Sequence, residues 1–512
     1  MANKKKNNKS SIFEDSGFSS TIDFVKQEIQ ELYLSDEVPW VIGYSGGKDS
    51  TACLQLTWLA LSELPEEKRQ KPIYPISTDT LVENPIVSFW VRNSHKTMEK
   101  AAKEQGMPFK PQLLIPAIED TFWVNLIGKG YPAPRHKFRW CTERLKINPS
   151  NKFVRDMVRE NGEAVLVLGT RIAESSNRSR TMAEHRKNAI RERLVPSASM
   201  VNTLIYTPIE DWSNDDVWTF LMRSKNPWGH NNKDLMTMYR GASADGECPL
   251  VVDNTTPSCG NSRFGCWVCT MVEKDKSMDA MIQNDQEKEW MAPLLDLRNE
   301  LDFRSEDDKK RDRSRRDFRR FTGKLNHYTD ANGEFQLVPG PYVQDTRAYW
   351  LERLLETQQW IRENGPEEVR DIELITLEEL EEIRRIWVVD KHEIEDLLPK
   401  IYIKIVSEKY PGNPIDDNLI FDDKTLEILK ETCNGDELHF ELARNLLDIE
   451  RRYRTLASRK GLFLELEKAL ERCFYDNVED ARNRAKFKAG IKQTEIKMQK
   501  DEPLFEKMAE TT

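Results

Sequence analysis

The stretch Val41-Ile42-Gly43-Tyr44-Ser45-Gly46-Gly47-Lys48-Asp49-Ser50 decides the fold of this chain. Its first four residues predict a buried strand, the glycine pair predicts a tight turn, and residues 49–62 predict a helix. The glycines let backbone N–H groups approach an anion, and the helix N-terminus adds the positive end of its dipole. An ordinary strand-to-helix turn is the alternative. The complete string favours a nucleotide phosphate site, whose candidate residues are Ser45, Gly46, Gly47, Lys48, Asp49 and Ser50.

The loop is not a Walker A motif, because Gly-x4-Gly-Lys-Ser/Thr occurs nowhere in the sequence. It resembles instead the PP-loop of the ATP pyrophosphatases, a group that includes PAPS reductase, tRNA thiolation enzymes and GMP synthetase. That resemblance implies that ATP is cleaved between its α and β phosphates, which gives an adenylated substrate and pyrophosphate. Mg2+ is the expected charge partner of the pyrophosphate.

Short apolar runs alternate with helical patterns along the first half of the chain. They predict an α/β fold of the PP-loop, adenine nucleotide alpha hydrolase-like type, in which helices cover both faces of a parallel sheet. Functional loops are expected at the carboxyl ends of its strands. The predicted strands are 41–44, 73–77, 112–115, 164–168 and 204–206.

Two loops after these strands carry further candidates. Asp79 is expected to accept hydrogen bonds from adenine or ribose, although a helix N-cap is an equal alternative. Gly169 ends the most apolar strand, and Arg171 and Arg178 after it are candidates for gripping phosphate in a bidentate way. Surface salt bridges are the alternative for both arginines.

Four of the eight cysteines crowd into one segment as Cys-x10-Cys-x6-Cys-x2-Cys, at Cys248, Cys259, Cys266 and Cys269. Four thiolates suit tetrahedral zinc or a four-iron four-sulfur cluster, and the single Cys-x2-Cys pair modestly favours the cluster. Cys141 stands apart within Arg139-Trp140-Cys141-Thr142-Glu143-Arg144-Leu145-Lys146. Its three neighbouring cations are expected to lower the pKa of the thiol and make it a nucleophile, and a buried structural cysteine is the alternative.

Charge is distributed unevenly along the chain. The net charge is −10, yet residues 135–193 contain 15 Lys/Arg and 7 Asp/Glu, and a second basic cluster follows at 309–320. Such a stretch suits nucleic acid, whereas a solvated helix face is the ordinary explanation of the second cluster. No apolar run approaches the roughly 20 residues that span a bilayer, so we expect no membrane partner and a cytoplasmic location.

The sequence divides into four expected parts. Residues 1–20 are expected to be a disordered basic tail, 21–240 a PP-loop ATP pyrophosphatase or PAPS reductase-like domain, 241–300 a cysteine-rich iron–sulfur segment and 301–512 a mostly helical region. The last region is charged and amphipathic, and its sequence indicates no chemistry.

Several motifs together resemble the DndC family of DNA phosphorothioation sulfurtransferases over roughly residues 20–350. They lie at 44–50, 77–83, 122–128, 138–146, 206–212, 226–229 and 246–270. The resemblance implies an ATP-dependent sulfurtransferase that helps to replace a non-bridging oxygen of a DNA backbone phosphate with sulfur. It also implies a 4Fe-4S cluster on Cys248, Cys259, Cys266 and Cys269, a cysteine desulfurase as sulfur donor, other subunits of the phosphorothioation complex, and a role in restriction and phage defence.

A mechanism consistent with these residues begins with attack of a DNA phosphate oxygen on ATP. Sulfur, held as a persulfide on Cys141 or at the cluster, then displaces AMP. The candidate catalytic residues are Cys141, Lys48, Asp49, Arg171 and Arg178, since the transition state is strongly anionic. The competing hypotheses are a tRNA thiolase or PAPS reductase-type enzyme, and a non-catalytic subunit that senses ATP and uses the iron–sulfur segment as a scaffold.

Overall fold

A computed structural model describes residues 11–490 apart from 15, 137, 175–192, 243–263, 303–311, 331–332, 416–422, 455 and 457. Cys248, Cys259 and Arg178 therefore lie outside the described residues, as do the first ten residues of the predicted basic tail. Within the remainder of that tail, the Phe13 ring packs 5.7 Å from the Trp212 ring and the first helix begins at Phe18.

A six-stranded sheet forms the centre of the N-terminal half. Its strand order is β3-β2-β1-β4-β6-β5, and every neighbouring pair is parallel except β5 and β6. The sheet confirms the predicted fold class. Its strands are β1 (Trp40–Gly43), β2 (Ile73–Thr78), β3 (Gln112–Leu114), β4 (Ala164–Val167), β5 (Val195–Pro196) and β6 (Thr203–Tyr206).

The strand order reverses between β1 and β4. From β1 the chain moves outward through β2 and β3 on one side, and from β4 it moves outward through β6 on the other. Loops that leave the carboxyl ends of strands at such a point diverge and open a crevice, where ligands bind in open α/β sheets. The glycine-rich loop after β1 and the Gly169 loop after β4 flank this crevice.

Helices cover both faces of the sheet, as predicted. Trp40 and Ile42 of β1 face a large apolar cluster that includes α2, whereas Val41 between them faces Val154 of α4. Burial on both faces explains why β1 shows no polar alternation. The helices of this half are α1 (Phe18–Leu34), α2 (Lys48–Ser62), α3 (Pro85–Glu104), α4 (Asn148–Asn161), α5 (Asn214–Arg223) and α6 (Asn232–Gly241).

The rest of the described chain is mostly helical, as the sequence predicted, with one short hairpin. Its elements are α7 (Lys276–Asn284), α8 (Ala292–Leu301), β7 (His327–Thr329), β8 (Phe335–Leu337), α9 (Gln344–Asn364), α10 (Leu377–Arg385), α11 (Leu397–Val406), α12 (Asp423–Thr432), α13 (Glu437–Arg454), α14 (Leu462–Arg472) and α15 (Val478–Lys488). None of the described helices combines the length and apolar character needed to cross a membrane.

One apolar core joins the helical region to the segment around Cys141. It contains side chains from Val82 to Tyr410. Two indoles connect the halves by hydrogen bonds, from Trp123 Nε1 to Leu374 O at 2.7 Å and from Trp387 Nε1 to Ile127 O at 2.9 Å. The C-terminal helices therefore pack directly on the chain that leads to the thiol. Three π-helical turns lie in this core or beside it, at Val124–Lys129, Thr142–Ile147 and Ile386–Asp390.

Candidate functional site

The loop Ser45–Ser50 is held in shape by its own hydroxyls and by one left-handed glycine. Ser50 Oγ donates to Gly47 O at 3.0 Å and accepts from Ser45 N at 3.2 Å. Gly46 has a φ of 74°, and a Cβ there would lie 2.6 Å from Val91 Cγ2. Only glycine fits this backbone position. The loop's shape is therefore set by the chain's own side chains and backbone.

Trp90 of α3 fixes the orientation of one peptide group in this loop. Its indole Nε1 donates to Gly46 O at 3.1 Å. In a trans peptide the C=O of one residue and the N–H of the next point in opposite directions. The Gly47 N–H therefore points away from Trp90, which supports its predicted role as an anion-binding donor.

The β4 loop contacts the start of α2 across the crevice. Arg171 Nε donates to Asp49 Oδ1 at 2.7 Å, and Lys48 Nζ donates to Asp49 Oδ2 at 3.0 Å. Arg171 also donates to Trp212 O at 3.2 Å. A Cβ at Gly169 would lie 2.6 Å from Asp49 O, so glycine is required for this approach. The structure therefore brings four predicted residues together, and within it Arg171 positions Asp49.

Asp79 has a structural environment that the sequence did not indicate. Its Oδ1 accepts from Leu81 N at 2.9 Å and its Oδ2 accepts from Arg92 Nη2 at 2.7 Å. The N-cap of α3 is Asn84, whose side chain accepts from Ile86 N at 3.0 Å. Asp79 is therefore not the helix cap, and both of its oxygens already have protein partners that close the turn after β2.

A buried polar chain beneath the loop was not predicted. Tyr44 OH lies 2.8 Å from Ser94 Oγ, and His95 Nε2 lies 2.7 Å from Ser77 Oγ, which also donates to Tyr44 O. Burial lowers the pKa of His95 to about 4, so its ring is neutral at pH 7. The Ser94-His95 pair inside a helix gave no sequence signal of this role.

The Cys-x2-Cys turn pairs with the loop that follows β2. Cys269 N donates to Cys266 O at 3.1 Å, Trp267 N donates to Val82 O at 2.9 Å, and Asn84 N donates to Gly265 O at 3.2 Å. These bonds place the thiols at the carboxyl edge of the sheet, which is also the edge of the glycine-rich loop.

Cys141 lies within electrostatic reach of both thiols of this turn. Burial and the neighbouring Cys269 raise the pKa of the Cys141 thiol, and Cys141 in turn contributes to the raised pKa of Cys266. The prediction that three cations lower the pKa of Cys141 is therefore wrong. Lys146 does favour the thiolate, but burial has the larger effect, and Arg144 is held instead by Tyr131 OH at 2.9 Å.

A charged pair lies beside these thiols. Lys146 Nζ is 3.2 Å from Glu83 Oε1, and Cys266 Sγ is 3.8 Å from the same oxygen. Burial, with Glu83 second, raises the pKa of Cys266 to about 12, and Cys266 is the main cause of the raised pKa of Lys146. Lys146 is thus the cation that would balance a thiolate or a persulfide at this centre.

The described thiols suit an iron–sulfur group in their chemistry. Cys266 and Cys269 lie on one tight turn, and both interact electrostatically with the partly buried Cys141. Among the residues that the structure describes, no three His, Cys, Asp or Glu side chains are arranged to hold a single metal ion.

One aromatic contact connects the loop to the thiol centre. Tyr239 of α6 accepts a hydrogen bond from Lys48 N at 3.3 Å through its hydroxyl, and its ring lies 4.8 Å from the Phe264 ring in an edge-to-face arrangement. Phe264 precedes Cys266 by two residues. The two candidate centres are therefore neighbours in space.

The second basic cluster is not a solvated helix face where the structure describes it. Arg319 Nη2 lies 2.8 Å from Asp317 Oδ2 and 2.7 Å from Glu441 Oε2, and Arg316 donates to Gly340 O at 2.7 Å. These arginines bind the hairpin and α13 to the core. They are consequently structural, whereas the basic residues near Cys141 are more exposed.

Comparisons with known proteins agree with this geometry at the level of the domain. Residues 39–271 match the family model of the phosphoadenosine phosphosulfate reductase domain. This segment holds the glycine-rich loop, the β4 loop and the Cys-x2-Cys turn, so the similarity to the PAPS reductase domain covers both candidate centres.

Two individual proteins are also similar. The chain is 28% identical over 254 residues, 50% of its length, to Uncharacterized protein MJ0066 of Methanocaldococcus jannaschii, and it spans only 40% of that protein. The structure of the U34-tRNA thiolase NcsA from Methanococcus maripaludis with its 4Fe-4S cluster covers 57% of this chain and 84% of its own, with 12% identity and a TM-score of 0.25. A TM-score this low carries no structural conclusion.

Proposed function

We propose that this chain is an ATP-dependent sulfurtransferase of DNA backbone phosphorothioation. The observation that supports it most directly is the proximity of the glycine-rich loop to the Cys-x2-Cys turn at the same edge of the sheet, connected through Tyr239 and Phe264. A nucleotide loop alone suits many reactions. A nucleotide loop beside sulfur donors suits activation of an oxygen followed by its replacement with sulfur.

The first step is adenylation. A non-bridging oxygen of a DNA phosphate attacks the α phosphorus of ATP, the α–β anhydride bond breaks, and pyrophosphate leaves. The Gly47 N–H, the start of α2 and Lys48 stabilise the pyrophosphate, with Mg2+ as the counter-ion of its oxygens. Arg171 acts indirectly, because it holds Asp49 and thereby the start of α2.

The second step transfers sulfur. A cysteine desulfurase supplies the outer sulfur atom of a persulfide on Cys141, and that sulfur attacks the activated DNA phosphorus and expels AMP. The resulting phosphorus–sulfur–sulfur–carbon linkage is then reduced by two electrons from a thiol reductant, which frees the phosphorothioate and the Cys141 thiol. Lys146 balances the charge of the persulfide anion, as its position beside Glu83 and Cys266 allows.

A 4Fe-4S cluster would be held by Cys266 and Cys269, together with Cys248 and Cys259, and would supply redox or sulfur-handling chemistry at this centre. The basic stretch at residues 135–193 would attract DNA, and other subunits of the phosphorothioation complex would complete its binding. The similarity of residues 39–271 to the PAPS reductase domain favours a second candidate function. In that function the chain is a reductase that acts on a small adenylated sulfate, or a thiolase that acts on tRNA.

The test uses protein purified without oxygen. We expect about four iron and four sulfide per chain, and release of AMP and pyrophosphate from ATP only when DNA is present. With labelled sulfur and a desulfurase, label should enter DNA with the wild type and not with Cys141→Ser. The control is Cys433→Ser, which changes a buried cysteine in the turn after α12 and should leave label incorporation intact. Formation of ADP and phosphate, or incorporation of sulfur into tRNA and not DNA, would overturn the proposal.

A further inference from the structure

Three aromatic rings pack together beside the thiol centre, two of them stacked and the third tilted by 38° against Tyr131. The Tyr131 and Phe138 rings are nearly parallel, with centroids 6.0 Å apart and planes inclined by 4°, and the Phe321 ring lies 4.6 Å from Tyr131. We call these three residues the aromatic platform. Phe138 at its end is 37% exposed. Water therefore reaches part of this residue, and a ligand that covered it would gain from removing apolar area from water.

The platform lies within a basic stretch of the sequence. Residues 129–146 contain six Lys/Arg and one Asp/Glu, in a chain whose net charge is −10. The Arg144 guanidinium lies 4.5 Å from the centroid of the Tyr131 ring, and Arg139 beside Phe138 is exposed. A basic stretch of this kind attracts ligands that carry several negative charges.

The platform is also next to Cys141. Trp140, the residue before Cys141, has its ring 5.7 Å from Tyr131, and its Nε1 donates to Pro132 O at 3.0 Å. The indole is buried and fixed, so the distance between the platform and the thiol is set by rigid chain. Cys141 itself is partly accessible.

Exposed rings interleaved with cations are the means by which proteins hold single-stranded nucleic acid, because every base has a face that stacks and every linkage has a charge. A protein partner suits the surface less well, because the centres of protein interfaces are depleted of charged residues. An intact duplex suits it less as well, since its base faces are already stacked inside the helix.

We propose that the aromatic platform binds an unpaired nucleotide of a DNA strand by stacking, and so presents the adjoining backbone phosphate to Cys141. The proposal rests on the proposed function for the identity of the strand as DNA. It adds that the substrate is unpaired locally, either as a single strand or as a nucleotide turned out of a duplex.

Fluorescence anisotropy tests this with labelled DNA: a 12-nucleotide single strand, the matching duplex, and that duplex with one unpaired nucleotide. We expect Phe138→Ala to weaken binding of the single strand and the bulged duplex about tenfold. Phe138→Trp should restore it because the ring returns. Arg139→Gln should instead reduce the slope of log K against log salt by about 0.7 on the single strand.

Phe463→Ala is the matched control, because Phe463 on α14 is 84% exposed and remote in sequence from the platform. It should leave all affinities unchanged. An unchanged affinity of Phe138→Ala for the single strand, an equal loss on the intact duplex, or tighter binding of RNA than of DNA of the same sequence would overturn the inference.

The two proposals fail separately. If ring-dependent binding of unpaired DNA holds while no pyrophosphate is released and no sulfur enters DNA, the proposed function fails and the platform stands. If sulfur enters DNA at the wild-type rate in Phe138→Ala, whose DNA affinity is also unchanged, the platform inference fails and the proposed function stands.

Discussion

Gly169→Ala offers the sharpest perturbation of the nucleotide site, because it adds one methyl group at the closest backbone approach in the crevice. The new Cβ would lie 2.6 Å from Asp49 O and 2.8 Å from Asp49 C, whereas ordinary van der Waals contact begins at 3.4 Å. The start of α2 or the β4 loop must therefore recede by about 0.8 Å. Neither can do so by rotating a side chain, since the contacted atoms are backbone.

Two effects of different size follow. Overpacking of this kind costs about 1–3 kcal/mol of the free energy of unfolding. Catalysis suffers more, because a misplacement of about 1 Å in a positioned group lowers rates by about 100-fold. We expect DNA-dependent pyrophosphate release by Gly169→Ala to fall by about 10- to 100-fold, with a smaller change in the urea midpoint.

Gly241→Ala is the control for this experiment. Gly241 ends α6, and among the described residues no atom outside its own helical turn and its chain neighbours lies within 4 Å of the position that an added methyl group would take. The change should therefore leave activity intact and alter stability by no more than about 0.5–1 kcal/mol. If Gly169→Ala released pyrophosphate at the wild-type rate with wild-type nucleotide affinity, the close approach of the β4 loop would have no functional meaning and the reasoning would be refuted.

Two further predictions test the loop and the polar chain beneath it. Trp90→Phe removes the hydrogen bond to Gly46 O and frees the peptide that carries the Gly47 N–H, so we expect the nucleotide affinity measured by calorimetry to fall about fivefold. The control is Trp360→Phe, which changes a 43% exposed tryptophan on α9. An equal loss of affinity in that variant would contradict the prediction. His95 has a folded pKa of about 4, below its unfolded value of 6.5, so the unfolded state binds more protons between these values and stability falls as the pH falls. Between pH 7 and pH 5, the free energy of unfolding measured in urea should fall by about 2 kcal/mol because of this group. In His95→Gln, the free energy of unfolding should depend less steeply on pH by that amount. The same pH dependence in both proteins would show that the ring is not buried as neutral imidazole.

The sequence predicts the separate loops of this site but not which of them lie in contact with each other. The loop Ser45–Ser50 is recognisable because its strand, turn and helix are all set by adjacent residues. The pairing of Arg171 with Asp49 joins residues from opposite sides of the strand-order reversal, and only the packing of β1 against β4 brings them together. A periodic pattern in the sequence reports which face is buried and says nothing of which loop lies opposite.

The environment of Cys141 shows the same limit for electrostatics. Adjacent cations in sequence suggested a lowered pKa, but a side chain interacts with its neighbours in space. The Arg144 side chain contacts Tyr131, and burial together with the charge of Cys269 raises the pKa of Cys141. The position of the Cys266 and Cys269 turn at the sheet edge depends on its hydrogen bonds to the loop after β2. No local sequence pattern indicates these hydrogen bonds.

The helical region contributes to the site by holding the backbone that carries it. A Cβ at Gly128 would lie 3.2 Å from Ile386 Cδ1, so the π-helical turn before the platform is in close contact with the one in the helical region. Trp387 bonds to the same turn through Ile127 O. Since π-helical turns are rare and are frequent at functional sites, the packing of these two against each other indicates mutual support. The helices beyond residue 344 thereby fix the path of the chain from Val124 to Cys141, and the position of the thiol relative to the platform depends on them.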